Sequence, residues 1–450
     1  MGGSLKALRK LAGSTFLERT VSAFREGGVR DIIVVTGHQA DKCASLANRL
    51  RVKNIYNPAF SSGMFSSTQA GFKAALEEFP TSRAVLLSPV DAALILPRSV
   101  AAMLEAWEAQ SSGPYPERII VASMNGRSGH PVLIPAGHIP AILARPASGR
   151  PGPGQDPDAP WGLRGYYHEI ITRRDRYQLE NYFNFLHPVP ESAIADQSLI
   201  EIPLPDAGVL SDLDTIEDSG AAEDFLRLTE NRSIPSVEEA WQLLRLSKLN
   251  AKKIRHSILV ARGSLRIGLK MAEKKLPHNL LLQTGAGLLH DLLRLENEHA
   301  ILAAEFLNKM GWPKTSFIVG CHTQLPDAYF ARLGIRNNDK KFQSPSVPPE
   351  AVADKALDDE LFYSTLAVYM ADKYARRDHL SSITRRFADI RDWFRDNPAA
   401  IAGLDEREKT VKDLEKWLGS LLDCNLLELV STPSGHSLER ALDRAIDGAY

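Results

Sequence analysis

Residues 84–91 read AVLLSPVD, a short apolar run that stops at small residues and an aspartate. A strand buried on both faces reads this way, with its polar groups gathered at the carboxyl end. DIIVVTG (31–37) repeats the pattern. Ahead of it, TFLERTVSAFREGG (15–28) sets Phe16, Val21 and Phe24 at helical spacing, and Gly27-Gly28 ends the helix. RIIVAS (118–123), PVLIP (131–135) and LIEIPLP (199–205) supply further strands. This alternation predicts an α/β domain with a mostly parallel sheet over residues 1–230. RPASGRPGPGQDPDAPWG (145–162), rich in Pro and Gly, reads as a loop without regular structure.

The texture changes near NRSIPSVEEAW (231–241). Strand signals stop, and helical periodicity runs through 236–247, 253–274, 278–295 and 298–310. Ser236 is placed to cap a helix whose first turn holds Glu238 and Glu239. An all-α domain is expected over 231–425, followed by a polar tail, 426–450, that carries no motif.

Composition narrows the function classes. The chain has 450 residues, 44% apolar and 24% charged, with a net charge of −1. Bulk charge implies neither a nucleic-acid nor a membrane partner. Cys43, Cys321 and Cys424 are scattered, which fits a reducing compartment and argues against disulfides or a cysteine-based zinc site. No apolar run approaches the ~20 residues of a membrane span. A cytoplasmic protein is expected.

Three stretches of the first half carry candidate chemistry. Asp91 closes its strand where a carboxylate can hold Mg2+ against phosphates, although a loop aspartate capping the next helix reads the same way. NPAFSSGMFSSTQAG (57–71) sets Gly63, Ser66 and Ser67 at a helix start, where N–H groups and hydroxyls can meet a phosphate or base. SDLDTIED (211–218) holds Asp212, Asp214, Glu217 and Asp218. Two of these acids can share a cation with Asp91, or the stretch is a solvated turn capped by Thr215.

Taken in order, G-x-x-K-A-L at the start, VVTG, NPAFSSGMFSS, PVDAAL, SGHPVLI and LSDLDTIED resemble the MobA/MocA-like nucleotidyltransferases over about residues 1–228, nearest the molybdenum cofactor cytidylyltransferase branch. The resemblance implies a nucleotide-diphospho-sugar-transferase-like fold and Mg2+-dependent attack on an NTP α-phosphate. It implies that Lys6 contacts phosphate, that Asp91 binds metal, and that Asp212 or Asp214 is the second acidic position. Gly63 to Ser67 and Gly129-His130-Pro131 would be substrate-side loops. Such transfer depends on positioning and charge neutralisation, which one lysine, one cation and one or two carboxylates supply. Two departures stand out. The family opens with a strand and L-A-A-G-x-S-x-R-M-G, of which only Met1-Gly2 is present in MGGSLKALRKLAG (1–13). A sheet without that strand should leave its neighbours unpaired. A start codon assigned too late is the expected explanation; degeneration to a binding domain is the alternative. The family's proline two residues after the aspartate is also absent from VDAAL.

The second half carries His256 in RHSILVARG, His290-Asp291 in GAGLLHDLLR, His299 in NEHAILAA, His322 in IVGCHTQ and Asp372 in VYMADKYARRD. Leucines flank the His-Asp pair, so both side chains fall in or beside a core. Burial without partners would cost several kcal/mol, and a metal held by imidazole and carboxylate removes that cost. The order H…HD…H…H…D resembles the HD-domain metal-dependent phosphohydrolases over about 236–420. The resemblance implies that His256, His290, Asp291 and Asp372 are ligands of a divalent transition metal such as Mn2+, Fe2+ or Zn2+. Asp291 would be catalytic, and His299 and His322 would contact a second metal or a phosphate. Arg294 in HDLLR stands near a lysine position of the family. The arginines of RRDHLSSITRRF (376–387) are either phosphate-binding or a solvated basic helix.

The expected protein is therefore bifunctional. One domain transfers CMP or another nucleotide from an NTP to a molybdopterin-type acceptor, with a molybdoenzyme as a possible partner. The other hydrolyses a phosphate ester or anhydride with a metal-activated water. The alternative keeps the hydrolase and makes the first domain a cofactor-binding chaperone.

Overall fold

The computed structural model describes residues 5–111, 118–147, 162–170, 175–176, 199–337 and 358–447. Most of the Pro- and Gly-rich stretch 145–162 lies outside them. The chain forms two compact units, Met1–Phe225 and Leu226–Tyr450.

The first unit starts with a 3-10 turn, Lys6–Leu8, and a two-residue hairpin, β1 (Lys10–Leu11) with β2 (Ser14–Thr15). Helix α1 (Phe16–Glu26) follows at once, fixed by a capping box: Thr15 Oγ1 accepts from the Glu18 N–H, and Glu18 accepts from the Thr15 N–H. The expected alternation is present: β3 (Ile33–Thr36), α2 (Ala40–Arg49), β4 (Lys53–Tyr56), α3 (Met64–Glu78), β5 (Ala84–Leu87), α4 (Pro97–Ser111), β6 (Ile119–Met124) and β7 (Arg127–Pro135). Helices α5 (Ile139–Leu143) and α6 (Gly162–Ile170), strands β8 (Asp175–Arg176) and β9 (Leu199–Pro203), and α7 (Ile216–Leu228) complete it.

The strands are less parallel than expected. β3 and β4 pair in parallel, as do β6–β9 and β8–β9, but β7 runs against both its neighbours, β5 and β6. The larger sheet, in the order β5-β7-β6-β9-β8, is therefore mixed. β6 and β7 are joined by a two-residue turn with Asn125 and Gly126 at positive φ, a hairpin connection that parallel strands cannot use.

Among the described residues, β3 bonds only to β4 and β5 only to β7. Yet Ile32 and Leu86 pack against one cluster, formed by Phe24, Ala92, Ile95 and Val100. Two pieces of sheet thus share a core without a strand bonded between them. The apolar side chains of β5 stay half-buried, whereas those of β6 are fully buried. Amides on open strand edges exchange through small openings. Peptides spanning 30–37 and 83–88 should exchange deuterium at least about tenfold faster than the peptide 118–124. Equal protection by mass spectrometry would show that these edges are covered.

The second unit is helical: α8 (Val237–Leu246), α9 (Ala251–Glu273), α10 (Leu280–Leu289), α11 (His299–Lys309), α12 (Pro313–Cys321), α13 (Asp327–Leu333), α14 (Asp359–Tyr374), α15 (Ile383–Trp393), α16 (Pro398–Leu422), α17 (Leu426–Ser431) and α18 (Ser437–Asp447). Ser236 and Glu239 form the capping box that opens α8. One short ribbon departs from the all-helical expectation: β10 (Ala375–Arg376) pairs with β11 (His379–Leu380). Residues 426–447 hold two packed helices. Leu426, Val430 and Leu442 are buried, and Arg266 of α9 pairs with Glu439 of α18. Among the described residues, no helix is long and apolar enough to cross a membrane.

Two candidate sites and their geometry

In the first unit, the 3-10 turn brings Lys6 to the end of β5. Lys6 Nζ lies 3.0 Å from Asp91 Oδ2 and pairs directly with Asp214. Arg9 donates to the Asp214 carbonyl at 2.8 Å, and the Ala12 N–H donates to Glu223 of α7. These bonds bring the opening segment and the acidic loop together. Carboxylate oxygens of Asp91, Asp212 and Asp214 lie within 4.8 Å of one another, close enough to share one cation with Lys6 beside them. Asp218 belongs to the helix instead: it accepts from the Thr215 N–H and hydroxyl, and Thr215 accepts from the Asp218 N–H. The acidic stretch thus divides into two candidate ligands and a cap.

The other expected contact residues also hold the local structure together. Ser66 is buried and donates within the turn to the Gly63 and Ala59 carbonyls. Asn57 donates to both Ser66 and Ser67, and its Oδ1 accepts from the Ala59 N–H. Asn57 was missed in the sequence, although an Asn-Pro pair marks a turn. Gly63 takes φ +105° at the start of α3. Gly129 serves close packing: a Cβ there would sit 2.0 Å from the Val209 carbonyl oxygen. That approach seats the turn Ala207–Leu210, which leads to Asp212 and Asp214, against β7. Asp206, also missed, is fully buried and anchors the same turn, accepting from the Leu96 and Gly208 N–H groups and from Ser99. His130 follows Gly129. Burial pushes its imidazole down in spite of Asp91 and Asp212 nearby, and its Nδ1 has no hydrogen-bond partner.

In the second unit, helix crossings at small residues bring the histidines together. A Cβ on Gly287 would lie 2.8 Å from the Ala261 Cα, so α10 touches the backbone of α9. Gly263 of α9 meets Ala371 of α14 in the same way. These contacts carry His256, His290-Asp291 and Asp372 to one point. His256 Nε2 lies 3.3 Å from Asp372 Oδ1 and 3.7 Å from Asp291 Oδ2. His290 Nε2 lies 3.6 Å from Asp291 Oδ2 and 3.8 Å from Asp372 Oδ1. The other oxygen of Asp291, Oδ1, is 3.3 Å from His299 Nε2 and 3.4 Å from His322 Nε2. One carboxylate therefore joins two groups of imidazoles.

The tautomers tell what fits between them. His290 Nδ1 lies 2.8 Å from the Gly287 carbonyl and His322 Nδ1 2.6 Å from the Val319 carbonyl, so each donates there. Their Nε2 lone pairs then point at carboxylate oxygens, and buried His290 Nε2 has no hydrogen-bond partner. Lone pair against lone pair at this range calls for a cation, and imidazole with carboxylate suits Mn2+, Fe2+ or Zn2+. Burial pushes His290 down to about 3, which keeps it neutral and able to ligate. Arg294 does not stand free: its Nη1 is 2.9 Å from His299 Nε2. Sequence reading also missed Lys373, which donates to Asp372 Oδ2 at 2.7 Å and to the His322 carbonyl at 3.1 Å.

A pH dependence follows. His290 titrates near 6.5 when unfolded and far lower when folded, so the unfolded chain binds more protons between those values. Stability of the metal-free protein should fall as pH drops below 6.5, by about 2 kcal/mol between pH 7 and 5 from this group. Urea midpoints in a chelator at the two pH values measure it. A flat profile would mean that His290 is not buried neutral.

Residues 1–153 match the family described as MobA-like NTP transferase domain. A nicotine blue oxidoreductase from Paenarthrobacter nicotinovorans is 30% identical over 151 residues, 32% of this chain and 69% of that protein. A bifunctional IPC transferase and DIPP synthase from Rubrobacter xylanophilus is 38% identical over 80 residues, 17% of this chain and 18% of that one. A nucleotidyl transferase structure from Methanothermobacter thermautotroptrophicus shares 22% identity, covering 31% of this chain and 63% of its own, at a TM-score of 0.27.

Proposed function

We propose that this chain, a member of the MobA-like NTP transferase family through its N-terminal domain, has two active sites: one transfers a nucleotidyl group and the other hydrolyses a phosphate ester or anhydride. The Lys6–Asp91–Asp214 cluster, with Asp212 beside it, carries the first part. In it, Asp91 and the acidic loop would hold Mg2+, and Lys6 would meet the phosphate oxygens. CMP transfer from CTP to a molybdopterin-type acceptor rests on the ordered motifs, since the two named relatives differ in activity. Cytoplasmic placement and a molybdoenzyme partner belong to the same reading.

The second part rests on one observation: four imidazoles converge on Asp291, and backbone carbonyls fix the tautomers of two of them, His290 and His322. His256, His290, Asp291 and Asp372 would hold one divalent transition metal, with His299 and His322 at a second position or on a phosphate. When bound, the ion supplies Lewis acidity toward water and the phosphoryl group. The protein's part is to orient the ligands, keep His290 neutral and fix Asp372 with Lys373 and Arg386.

Among the described residues no strand bonds between β3 and β5, which favours a second reading for the N-terminal domain, in which it binds the cofactor without turning over nucleotide. One preparation decides between them. Metal content is measured by mass spectrometry, and CTP and GTP are offered with Mg2+ and molybdopterin cofactor beside bis-p-nitrophenyl phosphate. Transfer from CTP together with bound transition metal and ester hydrolysis supports both sites. Bound transition metal with ester hydrolysis alone supports the binding reading. Neither activity and no metal would overturn the whole proposal.

A further inference from the structure

We infer that the substrate of the histidine–aspartate site carries at least two linked phosphoryl groups, the reacting one at the cluster and its neighbour on a rim that includes Arg255 and Arg377. This rests on the phosphohydrolase reading and names its substrate class.

Charge balance is the first observation. The two carboxylates of the cluster already face three cations. Lys373 Nζ is 2.7 Å from Asp372 Oδ2, and Arg386 Nη2 is 3.2 Å from Asp372 Oδ1. Arg294 Nε is 3.7 Å from Asp291 Oδ2. A divalent ion entering such a site finds its charge unmatched by the protein, so an anionic ligand is favoured.

The rim is the second observation. β10 and β11 form a hairpin packed on α9, the helix that carries His256. Its tip holds Arg377 at φ +54°, a conformation that glycine or asparagine adopts at lower cost. Arg377 is exposed and has no ion-pair partner among the described residues. Arg255, the residue before His256, reaches toward the tip, its Nη2 4.0 Å from Asp378 Oδ2. The hairpin tip therefore lies within one side chain of the turn that carries a candidate ligand. Arg376 and Arg385 share Asp389. Four arginines thus face two carboxylates, Asp378 and Asp389, which leaves an excess of positive charge beside a site that is already balanced.

A monoester would leave that rim idle. A phosphoanhydride uses it. The water oxygen bonds to phosphorus while the bond from phosphorus to the bridging oxygen breaks. The departing phosphate keeps the electron pair, and the water's proton goes to it or to solvent. Guanidinium groups on the departing phosphate would meet the charge that grows there.

The test uses the full chain and inorganic tripolyphosphate as probe, against orthophosphate, by calorimetry without metal so that the probe cannot strip an ion. Metal content is measured on the same preparations after loading with Mn2+. The wild-type chain should bind tripolyphosphate at least about tenfold more tightly than orthophosphate. The double variant R255A/R377G should lose most of that preference while its Mn2+ content is unchanged; glycine suits the φ at 377, so the hairpin is kept. R377K should retain part of the preference. Equal binding of the two anions by the wild type, or an unchanged preference in the double variant, overturns the inference alone. Absence of Mn2+ from the wild-type chain overturns the phosphohydrolase reading and this inference with it.

Discussion

Asp291→Asn should abolish phosphate-ester hydrolysis, by about a thousandfold or more, and strip the C-terminal unit of its transition metal. Asp291 presents one oxygen to His256 and His290 and the other to His299 and His322, all within 3.3–3.7 Å. Asparagine keeps one oxygen and replaces the other by an amide. The amide can donate to an imidazole lone pair, so the metal-free variant should fold with a urea midpoint near that of the wild type. What it cannot do is offer a carboxylate oxygen to both pairs of imidazoles. Mass spectrometry of the purified variant reads metal content, and p-nitrophenyl phosphate esters read turnover. Full metal occupancy in the variant would remove Asp291 from the ligand set and, with it, the proposed second site.

Asp91→Asn should lower nucleotidyl transfer by about a hundredfold to a thousandfold and shift its Mg2+ requirement upward. Asp91 is the least exposed of the three clustered acids, with its side chain 15% exposed against 56% for Asp214. It lies in the turn that follows β5 (Ala84–Leu87), and Asp214 sits on a loop tied down by Arg9. A loop carboxylate can be replaced in part by water or a neighbour. A carboxylate that is mostly shielded from water and held beside Lys6 is replaced less easily. Asp214→Asn should therefore cost less than Asp91→Asn. If the two variants lose the same small factor in a Mg2+ titration, the cation is held elsewhere and the cluster is an ion-pair network only.

How much of this was legible beforehand depends on range. The strand at 84–87 and the helix at 16–26 follow from local pattern, because a short apolar run and a helical apolar spacing each carry their own period and punctuation. The capping boxes at Thr15 and Ser236 are equally local. β7 was located, but not its antiparallel direction, although the Asn125-Gly126 turn that joins it to β6 carries that signal locally. Gly129 was noticed in a motif and assigned to substrate; its packing against Val209, 80 residues away in sequence, has no local signature. Ser66 and Ser67 read as free hydroxyls until Asn57 folded back onto them. Lys373 and Arg386 had no motif that tied them to Asp372.

By itself the sequence determined the residue types and their order: an acid after a short apolar run, an acidic loop later in the chain, and H…HD…H…H…D on successive helical segments. Types and order fix what chemistry is possible, since imidazole and carboxylate keep their donor properties wherever they sit. Only the tertiary structure decided which of these groups meet. Gly287 against Ala261 and Gly263 against Ala371 let three helices approach closely enough for His256, His290, Asp291 and Asp372 to converge. Backbone carbonyls at Gly287 and Val319 then chose the tautomers of His290 and His322. Both depend on contacts between segments far apart in the chain, where close packing, not local propensity, sets the geometry.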